Sequence, residues 1–402
     1  MRLVIGFVIG VLVTMVATQY VVPALAGGDG AEDGELVILS GLDQSEGGQR
    51  QALVDQWNDI RPANPARIVE LPANADQAHS EMVAHAQSGA EQVDIYNLDV
   101  TWMAEFADAG FIRPLEDADT TGFLEKPLRT CRYDGKLWGL PFNTDAGLLY
   151  YRRDIVDVPP ETASEMRETI EEAKPDGMRA GLTTQLADYE GLTVAVHEAV
   201  WAAGGEVVGA DGRVALDSDE AQAALRRLAD DVRDADVNLQ ASLEFDELAS
   251  THAFGAGQAL FMRNWPVAYR TLGDSVEFGV TPLPGGSVLG GQNLAVAAKS
   301  ERPRAAQELI EFLTDPRSQQ ILFERGGLAA TRDIIYLDSA VTSRYPYAKT
   351  LETAIQNARL RPVTPHYTAF SECLRGVVRE LLVTGSLPPD AVDRLARCLE
   401  GR

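Results

Sequence analysis

The sequence predicts an α/β protein built as two lobes. Through the first third of the chain, short apolar runs alternate with amphipathic stretches, the spacing of a parallel sheet flanked by helices. Two long, turn-rich extended segments, about 139–152 and 278–298, interrupt a largely helical remainder, so the chain passes between lobes more than once. The 402 residues, 45% of them hydrophobic, suffice for two separate cores.

The elements follow in order. Residues 35–40 (ELVILS) read as a buried strand, and a Gly/Ser/Asp turn leads to a helix over about 49–60 with Leu53, Val54 and Trp57 on one face. Residues 67–71 form a second strand, 76–87 a second helix, 93–98 a third strand, and about 101–109 a third helix. Ligands collect at the carboxyl ends of such strands, where Asp43, Ser45, Glu46 and Asp99 lie. Helices are expected over about 163–234, with turns at Gly204-Gly205 and Asp211-Gly212. Pro303 opens another helix carrying Leu309, Ile310 and Leu313. The tail from Ala348 is helical, broken near Arg361-Pro362, Pro365 and 385–389.

Composition narrows the function. Sixty acidic against 35 basic residues give a formal charge of -25, a field that repels phosphate backbones, so no nucleic-acid partner is expected. Residues 3–22 are apolar after a single Arg2, and Ala24-Leu25-Ala26 suits signal peptidase, so residues 1–26 read as a signal peptide or an N-terminal membrane anchor. The protein is therefore expected outside the cytoplasm, at the membrane face or in the periplasm, anchored or released. Cys131, Cys373 and Cys398 fit no metal or redox motif, and the five histidines do not cluster. No metal and no cofactor are expected. Cys373 and Cys398 either pair or serve as small buried residues.

Four segments then carry a resemblance: DIYNLDVTWMAEFA from residue 94, WGLPFNTDAGLLYYRRD from 138, FGAGQALFMRNW from 254 and GGQNLAV from 290. In order and spacing the chain resembles the solute-binding proteins of carbohydrate ABC importers, the branch with maltose- and trehalose-binding proteins. The resemblance implies a periplasmic-binding-protein type II fold, two α/β lobes joined by a hinge around a ligand cleft. It places residues 35–145 plus 290–338 in one lobe and 146–289 plus 339–402 in the other. It also implies a monomer that binds a sugar, performs no catalysis and meets permease subunits in the membrane. The chain has no cysteine near residue 26 for lipid attachment, which leaves the mode of tethering open.

A sugar needs carboxylates and amides for its hydroxyls and flat aromatic faces for its C–H surface. Asp99 closes the third strand and also suits a helix N-cap. Asn143 and Asp145 alternate on one side of an extended chain. Glu46, with Gln44 weaker, follows the first strand. Trp265 ends the Met-Arg-Asn-Trp run, and Gly291 lets backbone approach a ligand. Gln292 stands where the family often has an aromatic, and Arg361 matches a sugar-reaching arginine of relatives. Trp102 reads as core and Arg332 as structural. Three other readings are weighed, one of them a sensory or adhesion ectodomain held by an uncleaved anchor. A glycosidase would need a carboxylate pair and a raised pKa, without any catalytic motif to support it. A polyamine- or amino-acid-binding protein of the same fold would use the acidity directly.

Overall fold

The computed structural model describes residues 32–89 and 92–402; the expected signal or anchor at 1–26 lies outside them. Five strands make the larger sheet: β1 (Leu36–Gly41), β2 (Ala66–Leu71), β3 (Ile95–Asp99), β6 (Leu140–Ala146) and β11 (Leu289–Val296), in the order β2-β1-β3-β11-β6. Four make the smaller: β7 (Leu148–Arg152), β8 (Ala180–Thr183), β9 (Ala259–Asn264) and β10 (Phe278–Pro282), in the order β10-β7-β9-β8. A two-stranded ribbon pairs β4 (Arg132–Tyr133) with β5 (Lys136–Leu137).

The expected parallel sheet holds for β2, β1 and β3. It ends at β11, which runs antiparallel to both β3 and β6 because it arrives from the far sheet. Strand periodicity buries both faces. Ile38 and Ile95 pack with Leu53, Val54, Trp57 and Leu309, while Leu39 and Tyr96 pack with Met82 and Phe106. The helices doing this covering are Gln49–Ile60 and Pro303–Leu313 on one side and Ala75–Ser88 on the other.

In the smaller sheet Leu149 and Phe261 face Ile170, and Tyr150 and Met262 face Phe254 and Leu272. The stretch expected to be helical over 163–234 contains β8 between helices Ala163–Ala173 and Glu190–Ala202. Its AGLT sequence is too short to show a period. Gly181 is there because a Cβ would lie 2.4 Å from Ile170 of the covering helix. The chain crosses between the sheets at Gly147, again at Ser287–Leu289, and lies alongside that second crossing at Arg359, where Leu289 donates to the Arg359 carbonyl and Arg359 to that of Ser287.

Helices Glu190–Ala202, Asp219–Arg233, Tyr367–Thr384 and Ala391–Leu399 share a core of Leu192, Val200, Leu225, Phe370, Leu374 and Leu395. Cys373 and Cys398 are disulfide-bonded, clasping the last two of these helices, and Cys131 is free and buried. Among the described residues no helix is long and apolar enough to cross a membrane. The disulfide spans a sequence separation of 25, so replacing both cysteines with serine is expected to cost about 3 kcal/mol of unfolding free energy. Denaturant titration of the oxidised protein and the double variant measures this; coincident curves would contradict it.

Candidate functional site

A cleft opens where the carboxyl ends of β1 and β3 meet helix Glu190–Ala202 and the loop after β9. The larger sheet supplies its floor. Gln292 of β11 stands directly between Asp99 of β3 and Asn143 of β6, and Asp145 stands opposite Gly290. Residues directly opposite, and residues two apart, share a sheet face, so Asp99, Gln292, Asn143 and Asp145 lie on one surface. Gly291 between them has φ +119° and a Cβ there would fall 2.3 Å from the Asn143 carbonyl oxygen. No other residue fits.

Seven of the eight expected positions line the cleft: Asp99, Asn143, Asp145, Trp265, Gly291, Gln292 and Arg361, and Gln44 joins them. Glu46 does not. It is 62% exposed, and its carboxylate lies 3.4 Å from Arg270, outside the cleft. The turn after β1 serves the next helix instead. Asp43 accepts from the backbone N–H of Arg50 and Ser45 Oγ accepts from that of Gln49, which carries Glu46 away from the opening. Asp99 lines the cleft but does not cap the next helix, Met103–Asp108, whose N-cap is Trp102; its Oδ1 accepts from the Thr101 N–H and hydroxyl at 2.9 and 2.7 Å while the carboxylate faces Arg361 at 3.6 Å. Trp102 packs edge-on against His79 as core and also lines the cleft. Arg332 donates to the carbonyls of Thr314 and Thr121, a structural role.

Among the lining residues that escaped the sequence reading are Arg50, Asn97, Tyr189, Glu190 and Glu247. Arg50 had a signal, because it falls at i of the buried i, i+3, i+4, i+7 face that holds Leu53, Val54 and Trp57. A charged residue on a buried helix face needs partners. Glu190 and Glu247 each open a helix, where acids are ordinary.

The electrostatics follow from burial. The Arg361 side chain is 3% exposed and donates to Glu190 at 2.5 Å. Burial opposes its charge, but Tyr367, Asp99 and Glu190 more than offset this and hold the guanidinium firmly protonated. Glu190 is pinned in turn by Tyr367 and Ser371. Trp265 donates Nε1 to Glu247 at 3.2 Å, and Arg263 covers one face of its ring at 3.8 Å. Arg263 is itself held by a buried two-bond pair with Glu198, at 2.8 and 2.6 Å. Asp145 is pushed up to about 7 by burial and then by the Asp99 charge, against the opposing pull of Arg50 and Arg263. Removing the neighbouring charge in Asp99→Asn is therefore expected to lower the Asp145 pKa. Carboxyl-resolved NMR titration reads it, and an unmoved midpoint would contradict the repulsion.

Comparison with known proteins agrees with this architecture. A family model described as bacterial extracellular solute-binding protein matches residues 54–350. A "probable ABC transporter-binding protein" of Deinococcus radiodurans is 28% identical, over 85% of this chain and 87% of its own. The maltotriose-binding protein of Pyrococcus abyssi is 23% identical, over 87% of this chain and 78% of its own. Maltose-bound MalE3 of T. maritima superposes with a TM-score of 0.84 at 29% identity, covering 91% of this chain and 99% of that one. The acarbose-binding GacH receptor of Streptomyces glaucescens, 23% identical, shares the fold with a TM-score of 0.79, over 90% and 98% of the two chains.

Proposed function

The chain belongs to the bacterial extracellular solute-binding proteins, and on that premise we propose that it captures a maltose-like di- or oligosaccharide outside the cell and delivers it to an ABC permease. It is a transport component, not an enzyme. The observation that carries the sugar reading is the placing of Trp265 beside Asp145. A Cβ on Gly290 would touch both, at 3.4 Å from the indole and 3.3 Å from the aspartate. Arg263 covers one face of the indole, and in this reading a sugar ring stacks on the part of the indole that lines the cleft. The carboxylate alongside accepts from that ring's hydroxyls.

In this reading one lobe comprises residues 35–145 and 290–338 and the other 146–289 and 339–402. Both lobes contribute to the cleft, Asp99 and Asp145 from the first and Trp265, Glu190 and Arg361 from the second. Closure around a ligand is then a hinge motion, and the closed form is what the permease engages. The protein acts as a monomer, held at the membrane by residues 1–26 or released when they are removed.

Calorimetry with maltose, maltotriose and trehalose tests the assignment. Saturable heat is expected with at least one, and Trp265→Ala and Asp145→Ala are each expected to weaken it by about tenfold or more with unchanged melting. Full affinity in both variants would contradict the site.

A further inference from the structure

The floor of the cleft contains an arrangement that sugar binding by itself does not explain. Arg50 reaches it from helix Gln49–Ile60 as a buried cation. Its Nη1 donates to Ser40 Oγ and to the Gly41 carbonyl, both at 3.2 Å, and its Nη2 donates to Gln292 Oε1 at 2.5 Å. Asp43 lies 3.6 Å from its Nε. Asn97 adds a second, longer donor to the same Gln292 oxygen at 3.4 Å and is anchored to Ser40.

A guanidinium has five N–H donors and no acceptor. It can face only the carbonyl end of an amide. The Gln292 oxygen is thus committed to Arg50 and Asn97, and its NH2 group makes no hydrogen bond among the described residues. Gln292 shares its sheet face with Asp99, Asn143 and Asp145. The ligand therefore meets N–H donors from Gln292 beside carboxylate acceptors.

We infer that Arg50 is a positioning residue that fixes the Gln292 amide with its N–H donors toward the ligand, so that this floor selects a hydroxyl group over an ammonium. A hydroxyl accepts from the amide and donates to the carboxylate at once. An ammonium carries only donors, and would confront the NH2 group and the Arg50 cation behind it. A ligand carboxylate would satisfy the amide and be repelled by Asp99 and Asp145. Acidity alone would favour cations such as polyamines; the locked amide reverses that preference. The inference rests on the sugar-binding reading and adds to it a residue that secures the selection without being the group that meets the hydroxyl.

A double-mutant cycle on the full-length protein tests it, with maltose, maltotriose, trehalose and spermidine as calorimetric probes and thermal melting as the control for folding. Arg50→Met frees the amide to rotate. In alkaline buffer, where Asp145 is ionised with or without Arg50, the substitution is expected to weaken binding of the preferred sugar by about tenfold in the wild-type background, and by no more than about twofold when Gln292→Met is already present. Arg50→Gln, which keeps a polar group at the site, replaces Arg50→Met in both backgrounds if the latter fails to fold. Equal losses in the two backgrounds would overturn the role of Arg50 while leaving sugar binding intact. A wild-type protein that binds spermidine, or none of the three sugars, would overturn the sugar reading and this inference together.

Discussion

Four half-buried carboxylates, Asp99, Asp145, Glu190 and Glu247, share the cleft with two buried guanidiniums, Arg50 and Arg361, and this excess of negative charge constrains what surrounds it. In a low-dielectric interior, like charges interact several times more strongly than in water. Each acid must therefore be paired, hydrogen-bonded or protonated. Glu190 takes Arg361, Tyr367 and Ser371, and Asp99 takes Thr101 and the edge of Arg361. Asp145 has the longest bond of the group, 3.4 Å from Asn143. It keeps its proton to about pH 7.

The same constraint ties the cleft walls together. Trp265 could not offer a defined face without Arg263 behind it, and Arg263 could not be buried without Glu198. Glu198 also accepts from the backbone N–H of Val288, on the second crossing between sheets. The indole, the buried ion pair and the crossing segment are thus one connected unit. Gly147 stands on the first crossing because a Cβ there would strike that ion pair, at 2.6 Å from Glu198 and 2.8 Å from Arg263. In the proposed reading, ligand selectivity and interlobe geometry depend on the same side chains, and a ligand closes the lobes only by its differential contacts with the closed form.

The fold was largely legible from the sequence. Continuous apolar runs exposed β1 and β3 because both faces of each are covered, the edge strand β2 showed by its short Ile68-Val69 run between exposed residues, and the glycine-rich crossings stood out from their helical surroundings. The antiparallel course of β11 and the short β8 were not legible. One depends on where a distant segment returns, the other on four small residues with no pattern of their own. The cleft-lining positions Asn143 and Asp145 were readable because alternation fixes their direction, and Asp99 because it closes a strand. Glu46 misled because its turn is spent on capping a helix, and proximity to a strand end does not fix where a loop side chain points. Arg50 was visible in principle as a cation on an apolar helix face. Glu190 and Glu247 were not, since acids at helix starts are common and only the tertiary fold turns these two inward.

Central to this account is a buried Asp145 that accepts a ligand hydroxyl. With its pKa pushed up to about 7, the group still carries a proton in part of the molecules at neutral pH before binding. A hydroxyl that donates to the ionised form lowers that pKa and expels the remaining proton, so affinity rises as pH rises toward and through 7. Calorimetry of sugar binding at pH 7, in two buffers of different ionisation enthalpy, counts the protons directly. A net release of protons is expected, at most about one per sugar bound, abolished in Asp145→Asn; proton uptake, or a release that survives that substitution, would contradict the assignment.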